Sequence, residues 1–371
     1  MKVVIAPDSF KESLTAEDVA SSIANGLRTV WPDAEIISLP MADGGEGTVT
    51  TLTRAVGGEF VTCAVFNPLS DPILAEYGLI NGGRTAVIEV AAASGLALVP
   101  VEKRDPTITS SIGTGVLIVD ALEKGVRDFI IGIGGSATND GGFGIAMALG
   151  YAFQDVEGEN LRKGGLVLGG LDTIDDSKIH PFLRDARFKV ACDVNNPLCG
   201  PNGATRVYGP QKGATPEQIE ELETAMVHYA GVLDAYAGRA VSEEPGAGAA
   251  GGIGAGLLAF TNATLEPGVD LIAEACGLEE QVLDCDLVIT GEGKIDSQTE
   301  QGKVPDGVAR IARKHGKPVV GFCGTLDTTA NQTAFAEIHP IDVLAKDTQD
   351  AMENAGHYLE QAAESFARAW K

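Results

Sequence analysis

Apolar residues follow two rhythms along the 371-residue chain. Runs without alternation, such as "KVVIAP" at the start and "CDLVITG" and "KPVVGFCG" towards the end, read as strands covered on both faces. Elsewhere apolar positions recur at helical spacing. "AEDVASSIANGLRTV" predicts a helix that Thr15 can cap, and Glu46 to Val56 and Val304 to His315 predict two more. "AEIISLP" is a strand between the first two helices and "HPIDVL" a short strand near the end. Thr348 to Trp370 is a long amphipathic helix that closes the chain. Alternation of strand and helix at both ends argues for a parallel sheet.

After Gly57-Gly58 the rhythm changes. "EFVTCAVFN", "ILAEYGLI" and "TAVIEVA" are strand-like runs with turn residues and no helix between them. Further strands are expected near 127–133 and 187–193, and a helix from Pro216 to about Ala237. "GAGAAGGIGAGLLAF" reads as a small-residue loop entering a helix. The expected architecture is two α/β domains. One is a discontinuous, doubly wound (Rossmann-like) parallel-sheet domain from residues 1–60 and 285–371. The other is an α/β domain, 61–284, inserted into it.

Composition removes several classes. Hydrophobic residues make up 44% and charged residues 21%, and no apolar run reaches the ~18 residues of a membrane span. "MKVVIAPDSFKES" turns polar too soon for a signal peptide, so cytoplasmic residence is the expectation. Six cysteines without a C-x-x-C pair read as buried thiols. The balance of 27 basic and 52 acidic residues gives −25, which repels nucleic acid and anionic lipid. An anionic small molecule would need a local cluster of cations and backbone N–H groups.

Such clusters have candidate positions. Ligands of an open parallel sheet bind beyond the carboxyl ends of its strands. There the sequence has Asp8, Ser9 and Lys11; then Asp43, Gly44, Gly45 and Glu46; then Gly291 to Ser297; then Gly324 and Thr325. Each loop alone is what turn geometry and capping would demand. Four glycine- or acid-rich loops on one sheet edge are harder to assign to geometry. In the inserted region "GIGGSATNDGG" offers Gly134, Gly135, Ser136, Thr138 and a helix start, the ingredients of an anion site. It is neither a P-loop nor a dinucleotide fingerprint. Arg104 precedes a Ser/Thr-rich helix start, Asp193 ends a strand, and "GPQKGA" is expected to expose Lys212.

These residue types suit phosphoryl transfer, which needs positioning, cations, magnesium-holding carboxylates and a base for a hydroxyl proton. Lys11, Lys212 and Lys294 could neutralise phosphate. Asp43, Glu292 and Asp296 could hold Mg²⁺ through hard oxygen ligands. Asp193 is the candidate base.

Together "APDSFKESL", "PMADGGEGT", "GIGGSATNDGG", "CDVNNPL", "GPQKGA" and "ITGEGKIDSQT" closely resemble the motifs of bacterial glycerate kinases, the type-1 family. The resemblance runs in order along nearly the whole chain. It implies phosphorylation of D-glycerate by ATP with Mg²⁺, 2-phosphoglycerate being favoured and 3-phosphoglycerate possible, at a cleft between two α/β domains. Through the matched motifs it implies site membership for Asp8, Ser9, Lys11, Asp43, Asp193, Lys212, Glu292 and Asp296; their separate roles are read from the residue types, with substrate binding expected at Asp8, Ser9, Arg104, Asn195 and Lys212. Phosphate or nucleotide would meet Gly134, Gly135, Ser136, Thr138, Gly291, Gly293 and Lys294. Metal would meet Asp43 and Glu292, and catalysis would fall to Asp193, Lys11 and Asp296. An Asn at 195 cannot act as a base, which leaves that role to Asp193. D-glycerate and ATP are the expected partners, of a monomer or homodimer. A nicotinamide-dependent hydroxy-acid oxidoreductase and a non-catalytic sugar-acid sensor are the other classes consistent with glycine-rich α/β loops.

Overall fold

The computed structural model describes residues 1–45, 47–297, 299, 302–327 and 332–370. Its strands, in chain order, are β1 (Lys2–Ile5), β2 (Glu35–Ser38), β3 (Glu59–Phe66), β4 (Pro72–Ile80), β5 (Thr85–Glu89), β6 (Asp128–Gly132), β7 (Ala152–Gln154), β8 (Thr173–Asp175), β9 (Arg187–Ala191), β10 (Ala263–Glu266), β11 (Leu287–Ile295), β12 (Val319–Leu326) and β13 (Glu337–Pro340). The chain forms two compact units, Met1–Asp43 with the chain from Val269 onward, and Gly44–Gly268.

The first unit is a five-stranded sheet in the order β13-β12-β11-β1-β2, parallel throughout. Val3, Ile5, Leu287 and Ile289 pack with the helices Ala16–Val30 and Ala355–Ala369. Val4 and Val288 are fully buried too, and their alternation puts them on the opposite face. Both faces are therefore covered, which is why these strands read as unbroken apolar runs. The helix Ala16–Val30 starts as its sequence requires, with Thr15 Oγ1 accepting from Asp18 N at 3.1 Å. The chain leaves β1 for β2 on one side, while β11, β12 and β13 extend the other side. The order thus reverses between β1 and β11, the position where open α/β sheets bind ligands.

The second unit has a six-stranded mixed sheet, β10-β9-β6-β5-β4-β3, antiparallel at the β3-β4-β5 end and parallel beyond it. Phe129 and Phe188 stack at 4.5 Å in its core. A small β7-β8 hairpin lies beside it in sequence. The helix Pro216–Ala237 begins with a capping box between Thr215 and Gln218.

Three expectations shift. The helix Thr48–Ala55 was expected in the first domain, but it packs on β4 and β5, and Glu89 Oε1 accepts from Val49 N at 2.7 Å. The units therefore divide at 43 and 268 rather than at 60 and 284. The strand expected over "HPIDVL" sits earlier, and Asp342–Leu344 is a 3-10 turn. The closing helix breaks at Asn354 into Thr348–Glu353 and Ala355–Ala369. No described helix is long and apolar enough to cross a membrane.

Candidate active site

Strand pairing beyond the named strands builds the site of the first unit. Ala6 N and Asp8 N donate to Ile289 O and Gly291 O, while Leu39 N and Met41 N donate to Ile5 O and Pro7 O. The ladder thus carries Asp8, Asp43 and Glu292 to the same sheet edge. They line one pocket of about 350 Å³ with Ser9, Lys11, Gly293, Lys294, Lys303, Gly324 and Thr325. Gly324 is required there, because a Cβ would collide with Gly293 O on the neighbouring strand.

The carboxylates are crowded. Burial pushes Asp8 up to about 7, and the charges of Asp43 and Glu292 add to it. Ser9 N, which donates to Asp8 Oδ1 at 2.7 Å, and the charge of Lys11 pull the other way. A tight turn with Phe10 and Leu14 exchanging backbone hydrogen bonds leaves Lys11 exposed at its tip. Burial also raises Glu292, although Thr299 Oγ1 donates to its Oε1 at 2.5 Å and Lys303 Nζ lies 3.7 Å from its Oε2. Lys294 pairs with Asp296 at 3.4 Å, and Asp296 is not among the pocket-lining residues. Gly291, expected to touch phosphate, is buried within β11, where a Cβ would meet Phe322 O. Glu46 lies outside the described residues.

No group of three or more His, Cys, Asp or Glu side chains is placed to hold a metal among the described residues. Mg²⁺ does not need one. It keeps several waters and binds through one or two carboxylates plus phosphate oxygens. Asp43 and Glu292, at the edge of a pocket whose carboxylates repel one another, fit that donor set.

A second polar cluster lies within the other unit. Lys212 was expected to be exposed, but it is 2% exposed. The 3-10 turn Pro210–Lys212 folds it inward, and its Nζ donates to Ser136 Oγ at 2.8 Å and Thr138 O at 2.7 Å. Burial pushes the lysine down to about 7, opposed by Asp140. Arg104 packs against Gly213, the next residue in the chain. The buried Nε of Arg104, Oγ1 of Thr138 and Oδ1 of Asn139 have no hydrogen-bond partner among the described residues. Gly251 closes the cluster with φ +72, and a Cβ there would collide with Thr138 O and lie 2.9 Å from Lys212 Nζ. Its neighbour Ala250 also has positive φ, 57°, a strain of roughly 1 kcal/mol or more that tends to collect at functional sites.

Asp193 and Asn195 are exposed. Asp193 Oδ1 accepts from Gly268 N at 2.9 Å, at the start of the helix Gly268–Ala275. Two residues escaped the sequence. Lys303 ends a polar stretch and carries no local signature. Asp140 sits inside a quoted motif, yet its role is internal: Ser111 N and Oγ, Gly142 N and Gly144 N all donate to it.

The sequence model described as the glycerate kinase family matches residues 3–371. The chain belongs to the glycerate kinase family. Among its relatives, the glycerate 2-kinase of Escherichia coli K12 is 53% identical over 344 residues, 93% of this chain and 90% of that protein. A glycerate kinase of Bacillus subtilis 168 is 48% identical over 377 residues, covering 100% and 98%. A crystal structure from Salmonella typhimurium LT2 that carries the glycerate kinase 2 name superposes with a TM-score of 0.92 at 48% identity. That match covers 100% of this chain and 98% of the other.

Proposed function

We propose that the protein transfers the terminal phosphoryl group of ATP to D-glycerate, with 2-phosphoglycerate as product. The observation that carries this reading is Asp8, a half-buried carboxylate at a strand end, facing Asp43 and Glu292 and flanked by Lys11. A base poised near neutrality is matched to removing a proton from an alcohol as phosphorus approaches it. Asp8 thereby replaces Asp193, whose carboxylate is engaged at a helix start. Asp43 and Glu292 would hold Mg²⁺, which when bound spreads the charge of the phosphate oxygens. Lys11 and Lys294 place positive charge at the same pocket and neutralise the transferred group. Within the other unit, Lys212 with Ser136 Oγ and the unpartnered Thr138 Oγ1 is a buried cation that a carboxylate or phosphate oxyanion would complete.

Family membership supports phosphoryl transfer over the oxidoreductase and sensor readings, and the Escherichia coli relative's name supports the 2-hydroxyl. The test is a phosphorus NMR spectrum of the product formed from ATP, Mg²⁺ and D-glycerate. A single 2-phosphoglycerate resonance is expected. Absence of any phosphoglycerate overturns the reading, and 3-phosphoglycerate overturns its regiochemistry.

A further inference from the structure

The pocket at the strand ends is more apolar than the proposed acceptor requires. Glycerate has three carbons, each bonded to oxygen, and offers no apolar face. Yet beside the carboxylates and lysines stands a wall of Phe10, Ile341, Ala351, Met352 and Ala355. Resting on the kinase reading, we propose that this wall is the subsite for the purine base of the nucleotide, with the phosphates directed towards Lys11, Lys294 and Asp43.

Length supports it. Ile341 follows β13 and Asp43 follows β2, the two edge strands of the five-stranded sheet. Four strand spacings separate them, about 19 Å. That span suits an extended nucleotide and far exceeds a three-carbon acid. Volume agrees, since about 350 Å³ falls in the range of sites that bury most of a ligand of this size. The chemistry of the wall is that of a flat, polarizable ring system. Met352, 39% exposed, lines the pocket, and a methionine sulfur packs favourably on aromatic rings. The wall is also held in place: Ser13 Oγ donates to Met352 O at 2.5 Å, tying the helix Thr348–Glu353 to the loop after β1. Thr348 and Asp342 line the same pocket and supply polar atoms for the edge of the base.

The experiment titrates the full chain, without glycerate, by calorimetry with ADP and separately with inorganic tripolyphosphate. Met352→Gln makes the wall polar at nearly constant size, and Ala351→Leu fills it. Each is expected to raise the Kd for ADP at least fivefold while leaving that for tripolyphosphate within twofold of wild type. Thermal melting confirms that both variants fold. Unchanged ADP affinity in both variants, or equal weakening of ADP and tripolyphosphate, overturns the base subsite. If wild-type enzyme still phosphorylates glycerate in that case, only the subsite has failed. A wild type that binds no ADP overturns the subsite and the kinase reading together.

Discussion

Asp8 and Lys212 solve opposite versions of one electrostatic problem, each within its own unit. Asp8 is a carboxylate among carboxylates, and burial and like charge together drive it up to about 7. Lys212 has no such crowd. It is buried against a hydroxyl and a carbonyl, with the charge of Asp140 opposing the shift, and burial brings it down to about 7. One group is tuned by neighbours as well as desolvation, the other by desolvation. The first responds to any cation that enters, the second to any anion. That difference makes the two regions separable by mutation.

The largest effect is expected at Asp8. Asp8→Asn keeps the shape and removes the base, so turnover falls roughly 10²- to 10⁴-fold in a coupled assay. Asp193→Asn retains an oxygen that accepts from Gly268 N and stays within about tenfold of wild type, the exposed carboxylate having no further role in this reading. Equal losses in the two variants would return the base to Asp193. Next comes Lys212→Met, which removes a charge-assisted hydrogen bond of about 1.5–3 kcal/mol and raises the KM for glycerate roughly 10- to 100-fold. In the wild type, affinity for glycerate declines as pH rises through about 7 and Lys212 loses its proton. Lys212→Arg stays charged and moves that decline upward. An unmoved alkaline limb would exclude the lysine.

Stability against pH separates the pair more gently. Asp8 titrates at about 7 when folded and at an ordinary 3.8 when not, so the folded protein binds the extra proton between these values. Its contribution is full below about 4 and is lost as pH rises to about 7. Lys212 is depressed from 10.5 to about 7, so its contribution is present above about 10.5 and is lost as pH falls towards 7. Melting temperatures should therefore flatten between pH 4 and 7 in Asp8→Asn, and between pH 7 and 10 in Lys212→Met. The smallest effect is Asp296→Asn, which breaks an ion pair whose lysine is 60% exposed and costs about 0.2–1 kcal/mol. Turnover should change less than fivefold, and a larger loss would place Asp296 in the chemistry.

Sequence periodicity was most informative where both faces of an element are buried. The runs "KVVI" and "LVIT" announce themselves because successive residues Val3 to Ile5 and Leu287 to Ile289 are buried on alternating faces, which leaves no apolar–polar alternation. The helix Thr48–Ala55 was read as a helix but placed with the wrong sheet, since an apolar stripe says which residues are covered and not by what. The strand β10 and the helix Gly268–Ala275 carry patterns too short to separate from loop. In the site, glycine- and acid-rich strand ends were legible because backbone geometry and chemistry both demand those residue types. Lys212 was named but expected to be exposed. Its burial is set by Ser136 and Thr138, more than 70 residues earlier, and no local pattern encodes that. Lys303 shows the same limit, its meaning residing in Glu292.

The placement of β1 between β2 and β11 has a consequence for synthesis on the ribosome. About 250 residues separate β2 from β11, so the first strand emerges roughly 12–50 s before its second neighbour exists. Gly44–Gly268 is continuous and can collapse during that wait, while the amino-terminal segment stays half-paired and in need of chaperone cover. Pulsed hydrogen exchange on stalled nascent chains should show protection in β5, β6 and β9 before it appears in β1. Early protection of β1 would show that it finds a temporary partner.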